Sequence, residues 1–206
     1  MNHLIREADG EARGTLVLLH GRGADEHDLL PLLGVLDPKR RLRGITVGGP
    51  LSLPPGGKHW YAVPRVGFPD PDSFRGTYEA LGALLDDELG LDWSRTVIGG
   101  FSQGGVMSYA LGLGPGRPVP AGLLAMSSFV PTVDGWAPEL ATRPGLHVAH
   151  VHGAEDPVIP VAFAREAKAT LEAAGLPLLY REFPGGHHVD PRLLPELADW
   201  LADRLA

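Results

Sequence analysis

The 206-residue sequence contains no cysteine. This excludes a disulfide framework, a thiolate metal site and a cysteine nucleophile. No apolar run approaches the roughly 20 residues that a membrane-spanning helix needs. The first 14 residues are polar and charged, without the basic and then apolar layout of a signal peptide. We therefore expect a cytoplasmic protein with no membrane span.

An excess of positive charge is also absent, because the formal net charge is −7. Nucleic acids and anionic membranes both attract basic surfaces, so neither is the expected main partner. The hydrophobic share of 44% and the charged share of 21% are ordinary for a globular protein. We see no internal repeat and no linker, and the length fits one domain over residues 1–206.

Apolar runs typical of buried strands alternate with segments of helical periodicity. The predicted strands are 15–20, 45–47, 96–98, 121–126, 146–152 and 178–183. The predicted helices are 28–36, 72–89, 160–174 and 191–205. This alternation predicts an α/β fold with a mostly parallel central sheet and helices on both faces. Such sheets bind ligands at the carboxyl ends of their strands.

The segment from Gly100 to Gly104 has the pattern G-x-S-x-G around Ser102. A nucleophile elbow of this pattern places a serine on a tight turn between a strand and a helix, with its hydroxyl exposed. The apolar run before the motif and the helix-like segment after it supply that context. A glycine-rich turn without catalytic function has the same letters, so the motif alone does not decide between the two.

A serine nucleophile needs a base, and the base needs a carboxylate to orient it. On this fold the chain order is serine, acid, histidine. Glu155 and Asp156 follow one predicted strand, and His187 and His188 follow the last one. A solvated turn and a pair of exposed loop histidines are the alternatives. The residues alone leave open which member of each pair would act.

Three other motifs suggest different chemistry, but each lacks a residue that this chemistry requires. The loop after the first strand, from Gly21 to Glu26, lacks the third glycine of a dinucleotide fingerprint. Gly57-Lys58 is followed by histidine, which does not complete a phosphate-binding loop. His150 and His152 share a strand face, but no third metal ligand stands at a suitable spacing. We expect the first loop to supply half of an oxyanion hole instead.

The sequence resembles the phospholipase/carboxylesterase family of small alpha/beta-hydrolases over nearly its whole length. The motifs are Leu18–Gly23 (L-H-G-x-G), His59–Tyr61 (S-W-[FY]), Gly100–Gly105 (G-F-S-Q-G-G), His152–Pro160 (H-G-x-x-D-x-x-[VI]-P) and Gly185–Val189 (G-x-G-H-x-[IV]). The resemblance selects Asp156 over Glu155 and His187 over His188. It also implies oxyanion donors at the backbone N–H groups of Arg22 and Gln103.

The departures from the family pattern lie around the substrate pocket. Ala62 replaces the aspartate that usually follows S-W-[FY], Ser128 replaces a small glycine, and Pro184-Gly185 begins the histidine loop without a methionine. The family implies an alpha/beta-hydrolase fold, no metal and no cofactor. The length leaves no room for a large lid domain. Many relatives form homodimers, so the resemblance leaves a homodimer open.

These observations predict a serine carboxylesterase that hydrolyses small to medium esters or thioesters through an acyl-enzyme. Ser102, Asp156 and His187 are the expected catalytic residues. The expected pocket walls are Trp60, Phe129 and Val158. The alternatives are a lysophospholipase or acyl-protein thioesterase acting on long acyl chains, and a non-catalytic binding protein on a hydrolase fold.

Overall fold

A seven-stranded sheet forms the centre of the computed structural model, which describes residues 1–206. The strands of this sheet are β1 His3–Arg6, β2 Thr15–Leu19, β3 Arg43–Val47, β6 Thr96–Phe101, β7 Gly122–Met126, β8 His147–Gly153 and β9 Leu178–Phe183. Their order in the sheet is β1-β3-β2-β6-β7-β8-β9. All neighbours pair in parallel except β1, which runs antiparallel to β3 at one edge. The short strands β4 Leu51–Ser52 and β5 Lys58–His59 form a separate hairpin.

Five α-helices cover the two faces of the sheet. They are α1 Leu30–Leu36, α2 Pro71–Ala83, α3 Gln103–Leu113, α4 Val161–Ala173 and α5 Leu194–Arg204. Helices α2, α3 and α4 share one buried apolar cluster with the sheet, and α1 and α5 share another. Alternate residues of a strand point to opposite faces, so Val17 and Leu19 join the first cluster while Leu16 and Leu18 join the second. No helix has both the length and the apolar character to cross a membrane.

The predicted α/β fold, with a mostly parallel sheet between helices, is confirmed. The first strand of the fold was missed, because His3–Arg6 is a short edge strand whose residues stay partly exposed. Such a strand carries no continuous apolar run. The predicted helix 72–89 is also interrupted, since α2 passes into a π-helical turn over Leu84–Glu88.

The carboxyl ends of four parallel strands lie on the same side of the sheet. The loops that follow β2, β6, β8 and β9 leave from their carboxyl ends, and these strands are parallel members of one sheet. They carry Arg22, Ser102, Asp156 and His187, respectively. The parallel order of the strands therefore gathers residues that are up to 165 positions apart in the sequence.

Candidate active site

Ser102 occupies the single residue between strand β6 and helix α3, and its backbone is strained. Its φ is 55° and its ψ is −120°, a backbone conformation that residues other than glycine rarely adopt. The two flanking glycines permit the turn. A Cβ at Gly100 would lie 2.5 Å from the backbone of Gly104, and one at Gly104 would lie 1.9 Å from the carbonyl oxygen of Leu19. The elbow geometry thus depends on both glycines.

His187 lies between Ser102 and Asp156. Its Nε2 is 2.9 Å from Ser102 Oγ, and its Nδ1 is 2.6 Å from Asp156 Oδ2. Because a carboxylate accepts hydrogen bonds, Nδ1 carries the proton and Nε2 can accept the serine proton. The ring also packs on Phe101, with 4.8 Å between the centroids. These contacts fix the imidazole in the orientation that general-base chemistry requires.

The side chain of Asp156 is fully buried and is held at both oxygens. Oδ1 accepts hydrogen bonds from the backbone N–H groups of Val158 and Ile159, each at 2.8 Å. Oδ2 is then left to face His187. The rival residues Glu155 and His188 are exposed, and neither has a side-chain hydrogen bond to Ser102 or His187. Of each sequence-predicted pair, the structure brings one member into the hydrogen-bonded chain.

The two backbone N–H groups expected to bind an oxyanion, those of Arg22 and Gln103, have no acceptor within the protein. Gln103 is the first residue of α3, where backbone N–H groups lack intrahelical partners and attract negative charge. His20 anchors the other donor. Its Nδ1–H donates to the carbonyl of Gly21 at 2.6 Å, so the N–H of Arg22 points to the opposite side of the same trans peptide.

His20 is itself held by its surroundings. Its Nε2 accepts from the backbone N–H of Gly49 at 2.9 Å, and its ring lies 5.0 Å from that of Trp60. Burial lowers the pKa of His20, which keeps the ring in the neutral form that both hydrogen bonds require. This role was not predicted from the sequence. The signal was present, because the polar His20 directly follows the apolar run 16–19.

The side chain of Gln103 ties the elbow to the long loop before α2. Its Oε1 accepts from the backbone N–H of Trp60, and its Nε2 donates to the carbonyl of Tyr61, both at 3.0 Å. Trp60 itself is fully buried, and its indole N–H donates to the carbonyl of His20 at 2.7 Å. The prediction that Trp60 forms a pocket wall is therefore wrong. The indole supports the loop from below, and its neighbour Tyr61 faces the cavity instead.

A cavity of about 350 Å³ opens beside Ser102. Phe129 and Val158, two of the expected pocket walls, line it, and so do Arg22 and Gln103. The long loop adds residues that the sequence analysis did not assign, among them Val63, Arg65 and Val66. Val158 is half exposed at the rim, whereas Phe129 is buried. The arrangement places a serine hydroxyl, hydrogen-bonded to an imidazole, beside two free N–H donors and an apolar wall.

Comparison with known proteins identifies the family. The phospholipase/carboxylesterase family model matches residues 1–204. The chain belongs to the phospholipase/carboxylesterase family.

Relatives of this family member include acyl-protein thioesterases. Acyl-protein thioesterase 1 of Cryptococcus neoformans is 27% identical over an alignment that covers 100% of this chain and 98% of the relative. Acyl-protein thioesterase 1 of Gibberella zeae is 33% identical, but that alignment covers 59% of this chain and 54% of the relative. The second match thus spans about half the length of that relative.

Solved structures show the same fold as this phospholipase/carboxylesterase family member. The Bacillus cereus carboxylesterase superposes with a TM-score of 0.84 at 23% identity, covering 99% of this chain and 94% of the other. Acyl-protein thioesterase 2 of Zea mays gives a TM-score of 0.77 at 23% identity, covering 100% and 99%. The neighbours therefore carry both carboxylesterase and thioesterase names.

The two histidines that suggested a metal pair are buried in this family member and hydrogen-bonded to protein groups. Tyr109 Oη is 2.8 Å from His150 Nδ1, and His152 Nε2 is 2.9 Å from the carbonyl oxygen of Ile159. Burial, with a smaller contribution from the neighbouring His152, lowers the pKa of His150 to about 3. His152 Nε2 also lies 3.5 Å from Asp156 Oδ2. The contact between His152 and Ile159 braces the loop that carries Asp156.

Proposed function

We propose that this protein is a serine esterase in which Ser102 is the nucleophile, His187 the base and Asp156 the residue that orients the base. One observation carries the proposal. A hydrogen-bonded chain of 2.6 and 2.9 Å runs from a buried carboxylate through an imidazole to a serine in a strained elbow. Perturbed backbone geometry of this kind persists where the surroundings hold it in place, and such residues concentrate at active sites.

In the acylation step, Ser102 Oγ forms a bond to the ester carbonyl carbon while His187 Nε2 takes the hydroxyl proton. The carbonyl oxygen becomes an oxyanion that accepts hydrogen bonds from the N–H groups of Arg22 and Gln103. One such donor is typically worth roughly 3–4 kcal/mol of barrier. The bond to the leaving oxygen or sulfur then breaks, and His187 returns the proton to that atom.

Deacylation repeats the same steps with water. His187 takes a proton from water as the water oxygen bonds to the acyl carbon, and the oxyanion forms again between the two donors. The Ser102 Oγ–carbon bond breaks, and Oγ receives the proton. The products are a carboxylic acid and the original enzyme. All the groups needed for these steps come from the chain itself.

We propose small to medium acyl groups as the preferred substrates. The cavity of about 350 Å³ is at the lower end of the range for small-molecule sites.

Two further proposals rest on the sequence: residues 1–206 form a single domain, and the protein is cytoplasmic. The two apolar clusters share one sheet, which supports the first of these.

A second candidate is hydrolysis of long acyl chains, as in a lysophospholipase or acyl-protein thioesterase. Its support is the apolar rim of the cavity, where four large side chains are between 37% and 50% exposed. They are Val63, Val66, Phe68 and Val158. A longer chain leaving the cavity would cover this rim and gain from its burial. The names of the curated relatives also favour this substrate class.

The test is hydrolysis of p-nitrophenyl esters from acetate to palmitate by wild type and by Ser102→Ala. We expect a maximum in kcat/KM at short to medium chains and a loss of at least about 10³-fold in the variant. A maximum at palmitate would favour the second candidate. Wild-type rates in Ser102→Ala would overturn the serine mechanism.

A further inference from the structure

The cavity beside Ser102 has a charge opposite to that of the whole chain. The sequence has 25 acidic and 18 basic residues. No acidic residue lines the cavity, and its only charged lining residues are Arg22 and Arg65. The two arginines come from different loops, one after β2 and one before α2. A cleft lined by one sign of charge raises the local concentration of ligands of the opposite sign.

Both guanidinium groups are free of protein anions. Arg22 and Arg65 form no ion pair, whereas other exposed arginines do, such as Arg165 with Glu182 at 2.7 Å and Arg181 with Glu196. The central carbon of the Arg65 guanidinium lies 3.6 Å from the centroid of the Phe68 ring. A cation–π contact does not use the guanidinium N–H groups as hydrogen-bond donors, so those of Arg65 stay available to a ligand.

We propose that the ester substrate carries an anionic group, a carboxylate or a phosphate, which Arg22 and Arg65 bind at the mouth of the cavity. This rests on the proposed esterase function and adds the substrate class. Guanidinium groups present paired N–H donors that match both anions. The backbone N–H of Arg22 faces the expected oxyanion, so its side chain starts beside the reacting carbon.

The two arginines have one rival role, which is to stabilise the oxyanion or the acid product of any ester. That role would accelerate neutral and anionic esters by the same factor. The substrate-binding role changes the ratio of the two. The decisive quantity is therefore kcat/KM for an anionic ester divided by kcat/KM for its neutral analogue.

The test uses matched esters with the anion on either side of the scissile bond. On the acyl side, mono-p-nitrophenyl adipate is compared with p-nitrophenyl heptanoate. On the alcohol side, 4-butyryloxybenzoate and 4-butyryloxyphenyl phosphate are each compared with 4-butyryloxybenzamide. The side with the larger ratio locates the anion in the bound substrate. The carboxylate and phosphate arms distinguish the two kinds of anion.

The variants are Arg22→Gln, Arg65→Gln and the double variant, with Arg13→Gln as the control. Arg22→Gln keeps the backbone N–H. Arg13 is exposed, forms no ion pair and lies at the opposite end of β2 from Arg22. Arg13→Gln therefore changes the net charge by the same amount as either single cavity variant, without altering the cavity. We expect the ratio to fall about threefold in each single variant and about tenfold in the double variant, and to fall with added salt.

An unchanged ratio in the double variant would overturn the proposal, as would an equal fall in Arg13→Gln. Failure of the esterase function itself gives a separate result: the wild type would hydrolyse none of the esters, or Ser102→Ala would hydrolyse the neutral esters at the wild-type rate. Urea unfolding of each variant shows whether the substitutions preserve the fold.

Discussion

The two oxygens of the Asp156 carboxylate accept hydrogen bonds from different partners. Oδ1 is held by two backbone N–H groups of its own loop, which fixes the carboxylate, and Oδ2 accepts the hydrogen bond from His187. An asparagine in the same place keeps the shape of the side chain and the hydrogen bonds from the two backbone N–H groups to Oδ1. Its amide then presents an N–H donor to His187 instead of an acceptor, so Nδ1 of the imidazole must be unprotonated to accept from it.

Asp156→Asn is therefore expected to lower kcat for ester hydrolysis by about 10³–10⁴-fold, because Nε2 of His187 would carry the proton and could not accept another from Ser102. Glu155→Gln is the matched control, since Glu155 is the exposed neighbour. It should stay within about twofold of wild type. Wild-type kcat in Asp156→Asn, measured on the best p-nitrophenyl ester, would contradict the assigned role.

Single residues were predictable from the sequence where a motif supplied their context. The placement of Ser102 after a strand and before a helix followed from its flanking pattern. Trp60 was placed wrongly because nothing in a loop without periodicity shows which of two adjacent aromatic residues faces inward. Arg65 was not assigned for the same reason, since its approach to the cavity depends on the fold of the same loop.

Helix α3 begins so close to strands β2 and β6 that side chains are excluded at Gly100 and Gly104. The carbonyl of Leu19 in β2 fills the space in which a Cβ of Gly104 would lie. Gly34 is the contrasting case, because it lies in α1 and a Cβ there would have no neighbour within 4 Å. Two helical glycines in one chain thus have opposite expected responses to the same substitution.

Gly104→Ala is expected to lower the free energy of unfolding by at least about 2 kcal/mol, since backbone atoms must move apart to admit the methyl group. Gly34→Ala should raise it by about 0.5–1 kcal/mol through the higher helix propensity of alanine. Urea unfolding of the two variants and the wild type gives both values. Equal stability of the two variants would refute this account of the elbow.

Elements of the parallel sheet were predictable because most of its strands contain short apolar runs. The prediction for Leu178–Phe183 matches the observed strand, and the others differ by a few residues at their ends. Strand β1 and the hairpin β4–β5 were not predicted. They are short and partly exposed, so tertiary pairing rather than local pattern determines them.

Three shifted pKa values make the whole molecule sensitive to acid. Burial raises the pKa of Glu26, but hydrogen bonds from Lys58 and Asn2 outweigh this and bring it to about 2. The hydrogen bond from Arg165 lowers the pKa of Glu182 to about 2, against a smaller effect of burial. Burial lowers the pKa of His150 to about 3. In each case the unfolded chain binds the proton more readily, so acid favours unfolding.

The free energy of unfolding is therefore expected to be highest above about pH 6.5, the ordinary pKa of histidine, and to fall on acidification. The fall should steepen below about pH 4.5, where the unfolded glutamates gain protons. Glu26→Gln should be less stable than wild type at pH 7, with a gap that narrows towards pH 3. Urea midpoints measured between pH 8 and pH 3.5 test this, and a midpoint that rises on acidification would contradict it.

Covalent labelling tests the central claim, that Ser102 is an activated nucleophile, most directly. The protein is treated with a fluorophosphonate, and the modified peptide is identified by mass spectrometry. We predict one adduct, on Ser102, together with loss of ester hydrolysis, and no adduct in Ser102→Ala. Labelling should also slow in Asp156→Asn, because the base is then misoriented. Wild-type protein that stays folded and unlabelled, or that is labelled equally at other serines, would contradict the account.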